Sequence, residues 1–502
     1  MTATLRQLRH WLDTGTLSSV QLAAYCHRVA VLGEEAGLNA FVRLNDGALE
    51  QAAAFDDRRR HGLPPRGPLD GIPISVKANI AVAEEPLTAG SRILDQKTGI
   101  GYNATVVDAL EGAVRIGTTT MDEFGMGSWG THQLNPTNNP LPVRTEPDFV
   151  ESVLQGRLPE PSVSGVAAGG SSCGSAVSIA HGSSFLSLGS DTGGSVRLPA
   201  AWCGVVGLKP TYGRIPRHGL VAYASSLDTI GLLGRTADCL SIGLQAILAH
   251  EQPNMVDSNH EAVSWREATI EGLRVGIPSA FSVDECPAVL REAWEQAADE
   301  LEKAGASVHV VDTIDHVTMQ RSLAAYYVLA SAEAASNLSR YDGFRYGHKA
   351  TDWTIDPECT LSPLEQQYTA ARSEGFHPEV ARRVLCGTFV LSSDRFHTYY
   401  EGAANLRAHL TEQLYKATIE CDVLMVPTTL SPPPQIDQPK DATAMFANDV
   451  MTVPASLAGL PALSVPVPKY WDEDRSFPIA MQLIGKRHGE ELILKAAGCL
   501  AR

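Results

Sequence analysis

The segment from Gly165 to Arg214 holds small residues far more densely than an ordinary core segment, and it constrains the fold more than any other stretch. Two glycine clusters stand in it, GGSSCG at 169–174 and DTGGS at 191–195. Glycine is used where the backbone takes a positive φ or approaches a ligand closely. Each cluster carries serine and runs into a helix-like stretch. We therefore expect reactive serines on tight turns at helix starts.

The second cluster predicts a strand, a turn and a helix in succession. FLSLGSDT favours a strand, the paired glycines favour a tight turn, and SVRLPAAWCG favours the start of a helix. Ser195 then lies at a helix N-terminus. We expect the backbone N–H groups of Thr192, Gly193 and Gly194 to surround its hydroxyl, where they would hold a developing oxyanion.

Lys77 is the candidate base for such a serine. In GPLDGIPISVKANI, the apolar Ile72, Ile74 and Val76 alternate with smaller or polar residues, a pattern that predicts a strand ending at Lys77. Burial lowers the pKa of a lysine, and a neutral amine can act as a general base near pH 7. The first cluster supplies Ser171 and Ser172 as further hydroxyls.

Three blocks of the sequence, 67–80, 169–176 and 189–213, resemble the signature blocks of the amidase signature family. The resemblance implies a triad in which Ser195 is the nucleophile, Ser171 is a bridging serine in a cis peptide, and Lys77 is the base. It also implies an α/β fold, a single large domain with a mixed central β-sheet covered by helices on both faces.

Two positions depart from the family pattern. Ala78 follows the lysine where the family usually has aspartate, and Cys173 stands in the first cluster where it usually has glycine. Neither change removes a member of the triad. Asp191 and Arg197 flank the nucleophile, and we expect them, like Asp228, to support the site structurally.

A competing motif overlaps the first cluster. GSSCG at 170–174 also fits the GxSxG pattern of a nucleophile elbow, with Ser172 as the nucleophile. That elbow needs a strand immediately before it, and VSGVAA is a poor strand. The glycines are not followed by GK[ST], so the segment is not a phosphate-binding P-loop.

Charge and cysteine content limit the classes of function. The net charge is −17 and the isoelectric point is near 5.3, which argues against a main nucleic-acid surface on this chain. The nine cysteines form no CxxC pair and no HExxH motif occurs, which indicates a reducing compartment and no structural metal. No apolar run is long enough for a membrane span.

The chain divides into three regions of one domain. Residues 1–60 favour helices, beginning with an amphipathic one in MTATLRQLRHWLDTG; 67–246 form the signature core, with an inserted loop at about 141–165; and 273–502 continue the same sheet and carry the substrate pocket. The inserted loop is rich in proline at both ends and favours one short helix near residue 149. The last region opens on a strand, helix, strand pattern.

Three later blocks narrow the resemblance to the glutaminase subunits of tRNA-dependent amidotransferases. They are YYVLASAEAASNLSRYDGFRYG, SEGFHPEVARRVLCGTFVLSS and FANDVMTVPASLAGLPALSVP. The resemblance implies that glutamine is hydrolysed and its ammonia passed on for the conversion of Glu-tRNA(Gln) to Gln-tRNA(Gln). It implies a glutamine pocket formed by Ser128, Tyr326, Arg383 and Asp449.

The same resemblance implies the partners and the compartment. An ATP-using, tRNA-binding partner, the B-subunit, and a small third subunit would complete a heterotrimer, tRNA would be held indirectly, and this chain would carry no cofactor because ATP and Mg belong to the partner. The location would be the mitochondrial matrix in a eukaryote and otherwise the cytoplasm. Two alternatives stay open: a stand-alone amidase acting on a small amide or urea derivative, and an inactive scaffold protein.

Overall fold

The eleven strands of the described chain form one mixed β-sheet in the order β1-β3-β2-β4-β6-β5-β10-β11-β9-β7-β8. The computed structural model describes residues 3–94, 98–131, 136–141, 148–250, 270–345, 347–351, 353–438, 446–472 and 477–500. The strands are β1 Phe41–Leu44, β2 Pro73–Lys77, β3 Val114–Thr119, β4 Leu186–Asp191, β5 Val206–Lys209, β6 Thr229–Gly234, β7 Arg274–Pro278, β8 Ser307–Val311, β9 Val423–Pro427, β10 Ala462–Tyr470 and β11 Pro478–Gly485.

Fifteen α-helices of the described chain lie before, between and after the strands, singly or in succession. They are α1 Leu5–Asp13, α2 Ser19–Glu35, α3 Ala48–Arg60, α4 Thr105–Asp108, α5 Phe149–Gln155, α6 Cys173–His181, α7 Arg197–Trp202, α8 Ala237–Leu248, α9 Ala288–Lys303, α10 His316–Leu338, α11 Pro363–Gly375, α12 Pro378–Val390, α13 Gly402–Glu420, α14 Val453–Leu457 and α15 Glu490–Leu500. None of these helices is long and apolar enough to cross a membrane.

The central strands are covered on both faces. Every residue of β2, β4, β5, β6 and β9 is buried. Because successive side chains of a strand point to opposite faces, complete burial requires packing on both sides of the sheet. Helices such as α6 and α8 supply it, and the predicted α/β architecture with a mixed sheet is confirmed.

Strand register brings the block of Lys77 and the block of the second glycine cluster to one edge of the sheet. β2 lies parallel to β4, with Ser75 opposite Ser187 and Val76 opposite Leu188. The carboxyl ends of parallel neighbours meet at the same edge of a sheet. Lys77, the last residue of β2, therefore lies beside the end of β4, where the second glycine cluster begins.

The first sixty residues are not wholly helical, contrary to the sequence expectation. Three helices form as predicted, and the Thr4 side chain caps the amphipathic α1. Between them, Phe41–Leu44 forms β1, which runs antiparallel to β3 and covers that edge of the sheet. A strand of four residues gives too short a pattern to compete with the helix signal on either side.

The later part of the chain continues the same sheet. β7, α9 and β8 form the predicted strand, helix, strand unit with parallel strands. β10 joins this part to the signature core by pairing with β5, where Ala462 lies opposite Lys209.

The inserted segment carries helix α5, and its Phe149 ring is anchored in the core. That ring contacts the rings of Trp11, Tyr25 and Phe185 at centroid distances of 5.9, 5.5 and 5.8 Å. Residues 142–147 of the insertion lie outside the described residues. The helix therefore packs against the N-terminal helices rather than standing away from the surface.

Candidate active site

Lys77 is completely buried, and its ammonium nitrogen is surrounded by serine oxygens. Nζ lies 2.8 Å from Oγ of Ser171, 2.8 Å from Oγ of Ser172 and 2.9 Å from Oγ of Ser190. Among the described residues, no carboxylate pairs with it directly. Burial lowers the pKa of Lys77 to about 7, so both the charged and the neutral amine are accessible near neutral pH.

The hydrogen bonds around Lys77 exclude Ser172 as a proton donor to the amine. Ser172 donates its hydroxyl to the carbonyl oxygen of Ser190 at 3.1 Å, so it can only accept from the lysine. Ser190 Oγ already accepts a hydrogen bond from Asn79 at 2.9 Å. A neutral amine has two N–H donors and one lone pair. One donor suits Ser172, and the lone pair can accept the hydroxyl proton of Ser171 or of Ser190.

Ser171 bonds to the lysine and directly precedes a residue that is bonded to Ser195. The peptide bond between Gly170 and Ser171 is cis. The next residue, Ser172, donates its backbone N–H to the carbonyl oxygen of Ser195 at 3.0 Å, which holds the two glycine clusters together. In the described part of the chain, the Ser195 hydroxyl makes no hydrogen bond to a protein group. It is therefore open to a substrate carbonyl.

The turn before Ser195 presents unused backbone donors. The N–H groups of Thr192, Gly193 and Gly194 have no protein acceptor among the described residues. Gly194 has a φ of +150°, a conformation that favours glycine. The Thr452 hydroxyl fixes the turn by donating to the carbonyl oxygen of Gly193 at 2.7 Å. The turn thus has free donors and a fixed shape.

A buried ion pair joins the two residues that flank the turn 192–195. Arg197 and Asp191 are both fully buried and lie 2.8 Å apart. Although burial raises it, the charge and hydrogen bonds of Arg197 hold the pKa of Asp191 below its ordinary value. Asp228 accepts a hydrogen bond of 2.8 Å from the Thr192 hydroxyl, and burial raises the pKa of Asp228 to about 6. These contacts place all three residues as supports of the turn.

Ser128 and Asp449 lie together, and Tyr327 joins them. Oδ2 of Asp449 accepts hydrogen bonds from the Ser128 hydroxyl at 3.1 Å and the Tyr327 hydroxyl at 2.6 Å. Burial raises the pKa of Asp449 to about 6, so the carboxylate is still mainly ionised at pH 7. The carbonyl oxygen of Ser128 accepts the N–H of Gly170 at 2.7 Å, which places this carboxylate beside the cis peptide.

Arg383 is buried close to the same carboxylate. Its Nε donates to Glu379 at 2.6 Å and one terminal nitrogen donates to the Tyr223 hydroxyl at 2.7 Å. Its guanidinium carbon lies 5.1 Å from the centre of the Tyr327 ring. The other terminal nitrogen has no acceptor among the described residues. One guanidinium N–H face is therefore available to a ligand.

Tyr326 links the pocket to the nucleophile turn. Its ring packs so closely on Gly193 that a Cβ added there would lie 2.5 Å from the ring. The structure thus brings the sequence-predicted pocket residues Ser128, Tyr326, Arg383 and Asp449 to one place. The two charged members, Arg383 and Asp449, both contact Tyr327, the residue next to Tyr326.

Sequence reasoning missed several polar residues of this site. They are Asn79, Ser190, Tyr223, Tyr327 and Glu379. Ser190 immediately precedes the second glycine cluster, Tyr327 directly follows Tyr326, and Glu379 lies one helical turn before Arg383. Those spacings were available signals, since residues four apart on a helix share a face.

The competing elbow motif lacks its structural context. The residues before Ser172 form isolated bridges at Val166 and Ala167 and no strand.

Cys173 is buried, its thiol accepts a hydrogen bond from Thr137 at 3.4 Å, and burial raises the pKa of this thiol to about 11. Ala78 lies directly after the lysine, and its methyl side chain makes no polar contact.

Groups of three or more His, Cys, Asp or Glu that could hold a metal are absent from the described part of the chain.

The sequence matches the family model described as Amidase over residues 21–494. It is 36% identical to the A-subunit of the glutamyl-tRNA(Gln) amidotransferase of Salinibacter ruber, covering 99% of both chains. It is 38% identical to the corresponding protein of Desulfotalea psychrophila, covering 97% of this chain and 94% of the relative.

Solved structures resemble the fold over almost the whole chain. The crystal structure of the glutamyl-tRNA(Gln) amidotransferase A-subunit from Thermotoga maritima superposes with a TM-score of 0.72 at 29% identity, covering 95% of this chain and 90% of that one. A structure described as revealing the evolutionary origins of an s-triazine catabolic enzyme gives 0.78 at 27% identity, covering 99% and 98%. With the buried lysine, the paired serine clusters and this match over nearly its full length, the chain belongs to the amidase signature family.

Proposed function

We propose that the chain is the glutamine-hydrolysing component of a tRNA-dependent amidotransferase. It releases ammonia from glutamine so that a partner can convert Glu-tRNA(Gln) to Gln-tRNA(Gln), which makes it part of a carbon–nitrogen ligase. One observation carries the proposal: a buried arginine and a buried aspartate, Arg383 and Asp449, both contact Tyr327. The Thr452 hydroxyl lies within hydrogen-bond distance of the carbonyl oxygens of both Asp449 and Gly193, which places the aspartate next to the turn before Ser195. The names of the relatives support the same function.

Catalysis begins with proton movement along the three residues of the triad. The Ser195 hydroxyl passes its proton to Ser171 as Ser171 passes its own to the neutral amine of Lys77, and the Ser195 oxygen attacks the side-chain amide carbon of glutamine. The N–H groups of Thr192, Gly193 and Gly194 hold the resulting oxyanion. Lys77 then returns the proton, through Ser171, to the amide nitrogen of glutamine. Ammonia leaves, and a glutamyl ester remains on Ser195. Water then attacks this ester and glutamate leaves.

The pocket selects a zwitterionic amino acid. The free N–H face of Arg383 pairs with the α-carboxylate, and Asp449 pairs with the α-ammonium. Glu379 shares the guanidinium with the ligand and keeps it fixed in orientation. A neutral amide gains neither pair, so the pocket favours glutamine over simple amides.

The acceptor chemistry belongs to partner proteins. A B-subunit that binds tRNA and uses ATP with Mg would activate the glutamate, and a small third subunit would complete the complex. The acidic charge of this chain supports an indirect contact with tRNA. Such a complex would work in the cytoplasm of a bacterium or in the mitochondrial matrix of a eukaryote.

Reconstitution with the partners tests this function. Conversion of Glu-tRNA(Gln) is measured with the partner subunits, ATP and either glutamine or free ammonia as the nitrogen source. We expect glutamine-dependent conversion to need this chain with Ser195 intact, and ammonia-dependent conversion to need only the partners. Conversion from glutamine that persists without this chain contradicts the proposal.

A stand-alone amidase is the second candidate, because this fold matches amidases as well as amidotransferase components. A structure described as an amidase superposes with a TM-score of 0.76 at 26% identity over 99% of both chains. Rapid hydrolysis of a small neutral amide by the isolated chain, with no association with the partner subunits, would favour this candidate.

A further inference from the structure

Glu123 is a buried carboxylate that the triad and the substrate pocket do not use. It is 3% exposed and lies in a tight turn, Glu123–Gly125, immediately after Asp122. Oε1 accepts the Ser91 hydroxyl, and Oε2 accepts the backbone N–H of His377 at 2.7 Å. Both oxygens are therefore committed to fixed donors from two other segments of the chain.

The turn on which Glu123 lies is attached to the catalytic triad. The backbone N–H of Asp122 donates to the carbonyl oxygen of Ser171 at 3.3 Å. The Asp122 carboxylate packs against Gly170, where no Cβ would fit. A Cβ added at Gly125 would lie 3.6 Å from Oγ of Ser171. The turn is therefore held against the bridging serine by contacts of Asp122 and Gly125 that do not involve the Glu123 side chain.

The other end of the contact lies on the helix that recognises substrate. His377 is the N-cap residue of α12, and its ring accepts the N–H of Glu379 at 3.3 Å. Arg383 lies one turn further along α12 and is held there by Glu379. The N-cap N–H is one of the helix-end donors that no intrahelical carbonyl satisfies. Glu123 satisfies it.

We propose that Glu123 is a positioning residue that fixes the N-terminus of α12, and with it Arg383, relative to the bridging serine Ser171. The inference rests on the proposed function, because it assigns the binding of the glutamine α-carboxylate to Arg383. Aromatic packing acts in the same direction, since the Phe124 ring stacks on Tyr341 at 5.2 Å and meets Phe376 edge-on at 5.9 Å.

The test compares three variants of the full chain assembled with its partner subunits. Glu123→Ala removes both acceptors, Glu123→Asp keeps the charge but shortens the reach, and Glu123→Gln keeps the reach and one accepting oxygen. Burial raises the pKa of Glu123 to about 7, so a neutral side chain of the same size resembles a form already accessible near neutral pH. The matched control is Glu85→Ala, which removes a buried carboxylate that pairs with Arg115 on β3.

We expect Glu123→Ala and Glu123→Asp to raise the KM for glutamine at least about tenfold while kcat falls by less than about threefold. Hydrolysis of butyramide, which has no α-carboxylate, should be unchanged within the same limit. Glu123→Gln should restore the glutamine KM to within about threefold of wild type. Glu85→Ala should lower the melting temperature without changing the ratio of glutamine to butyramide turnover.

Two results overturn the inference. One is a folded Glu123→Ala or Glu123→Asp enzyme with the wild-type KM for glutamine, and the other is an equal loss on glutamine and butyramide. If Glu123→Ala does not fold, the pair Glu123→Asp and Glu123→Gln decides, because they separate reach from charge. A wild-type complex that never hydrolyses glutamine would instead overturn the proposed function and is recognised before any variant is measured.

Discussion

The Tyr327 hydroxyl donates a hydrogen bond of 2.6 Å to Oδ2 of Asp449, and this bond holds down the pKa of a carboxylate that burial raises to about 6. We expect Tyr327→Phe to raise the pKa of Asp449, because the ionised form loses a donor. Asp449 must be ionised to pair with the substrate ammonium. As the pH is lowered, the KM for glutamine should therefore start to rise at a higher pH in Tyr327→Phe than in the wild type.

The measurement for this prediction is the KM for glutamine from about pH 5.5 to about pH 8.5, a range that spans the ionisation of a carboxyl group with a raised pKa. Tyr326→Phe is the control, since the Tyr326 hydroxyl interacts with Tyr223 and makes no hydrogen bond to Asp449 among the described contacts. An acid limb that stays at the wild-type pH in Tyr327→Phe contradicts the prediction.

Hydrolysis should rise with pH through about 7, where Lys77 changes from ammonium to free amine at its pKa. Below that pKa the lone pair is protonated and cannot take the proton of Ser171. Lys77→Arg should be nearly as inactive as Lys77→Met, because a guanidinium stays protonated at all accessible pH. Turnover of glutamine as a function of pH checks both statements, and a Lys77→Arg enzyme with most of its activity would refute the role of base.

Ser195→Ala should lower glutamine hydrolysis on the order of 10⁴-fold or more, since the acyl-enzyme can no longer form. Ser172→Ala should leave measurable hydrolysis, because the Ser172 hydroxyl accepts a hydrogen bond from Lys77 and donates one to the carbonyl oxygen of Ser190. Single-turnover measurements on both variants decide. The opposite ranking would make Ser172 the nucleophile.

Arg383→Ala should weaken kcat/KM for glutamine by about 10- to 100-fold relative to butyramide, the loss of a charge-assisted pair of roughly 1.5–3 kcal/mol. Arg382→Ala is the matched control: the neighbouring arginine also contacts Glu379, but it is half-exposed and contacts the Phe446 ring. Equal losses on both substrates in Arg383→Ala would remove this arginine from substrate recognition.

Phe149→Ala should lower the free energy of unfolding by about 3 kcal/mol, because a buried ring with three aromatic neighbours leaves a cavity. Leu154→Ala, on the exposed side of the same helix, should change it by less than about 0.5 kcal/mol. Thermal denaturation of the two variants checks the difference. Similar melting temperatures would show that the inserted segment is not anchored by Phe149.

The sequence indicates best what is local. Lys77, Ser171 and Ser195 each stand in a short block with its own strand or turn pattern, and the structure brings those blocks together at the ends of β2 and β4. Contacts that depend on the parallel register of those strands were not foreseen, and the contact of Ser190 with Lys77 is one of them.

Contacts between residues far apart in the sequence could not be predicted, for the same reason. Tyr223 meets Arg383 across 160 positions of sequence, and nothing near either residue indicates the other. The strand at Phe41–Leu44 was missed because its pairing with β3, rather than its own four residues, decides its conformation. Residues that act through a neighbouring element, such as Glu123, likewise have no signature of their own.

The pairing of β5 with β10 has a consequence for how such enzymes diversify. The proposed triad, Lys77, Ser171 and Ser195, comes from strands and turns before residue 196, whereas Arg383 and Asp449 of the proposed glutamine pocket come from α12 and the turn before α14. The two parts are nevertheless coupled, because the Thr452 hydroxyl of the later part donates to the carbonyl oxygen of Gly193 in the turn before Ser195. A relative that exchanges its recognition elements must therefore keep a hydroxyl donor at the Thr452 position to leave the reaction centre intact.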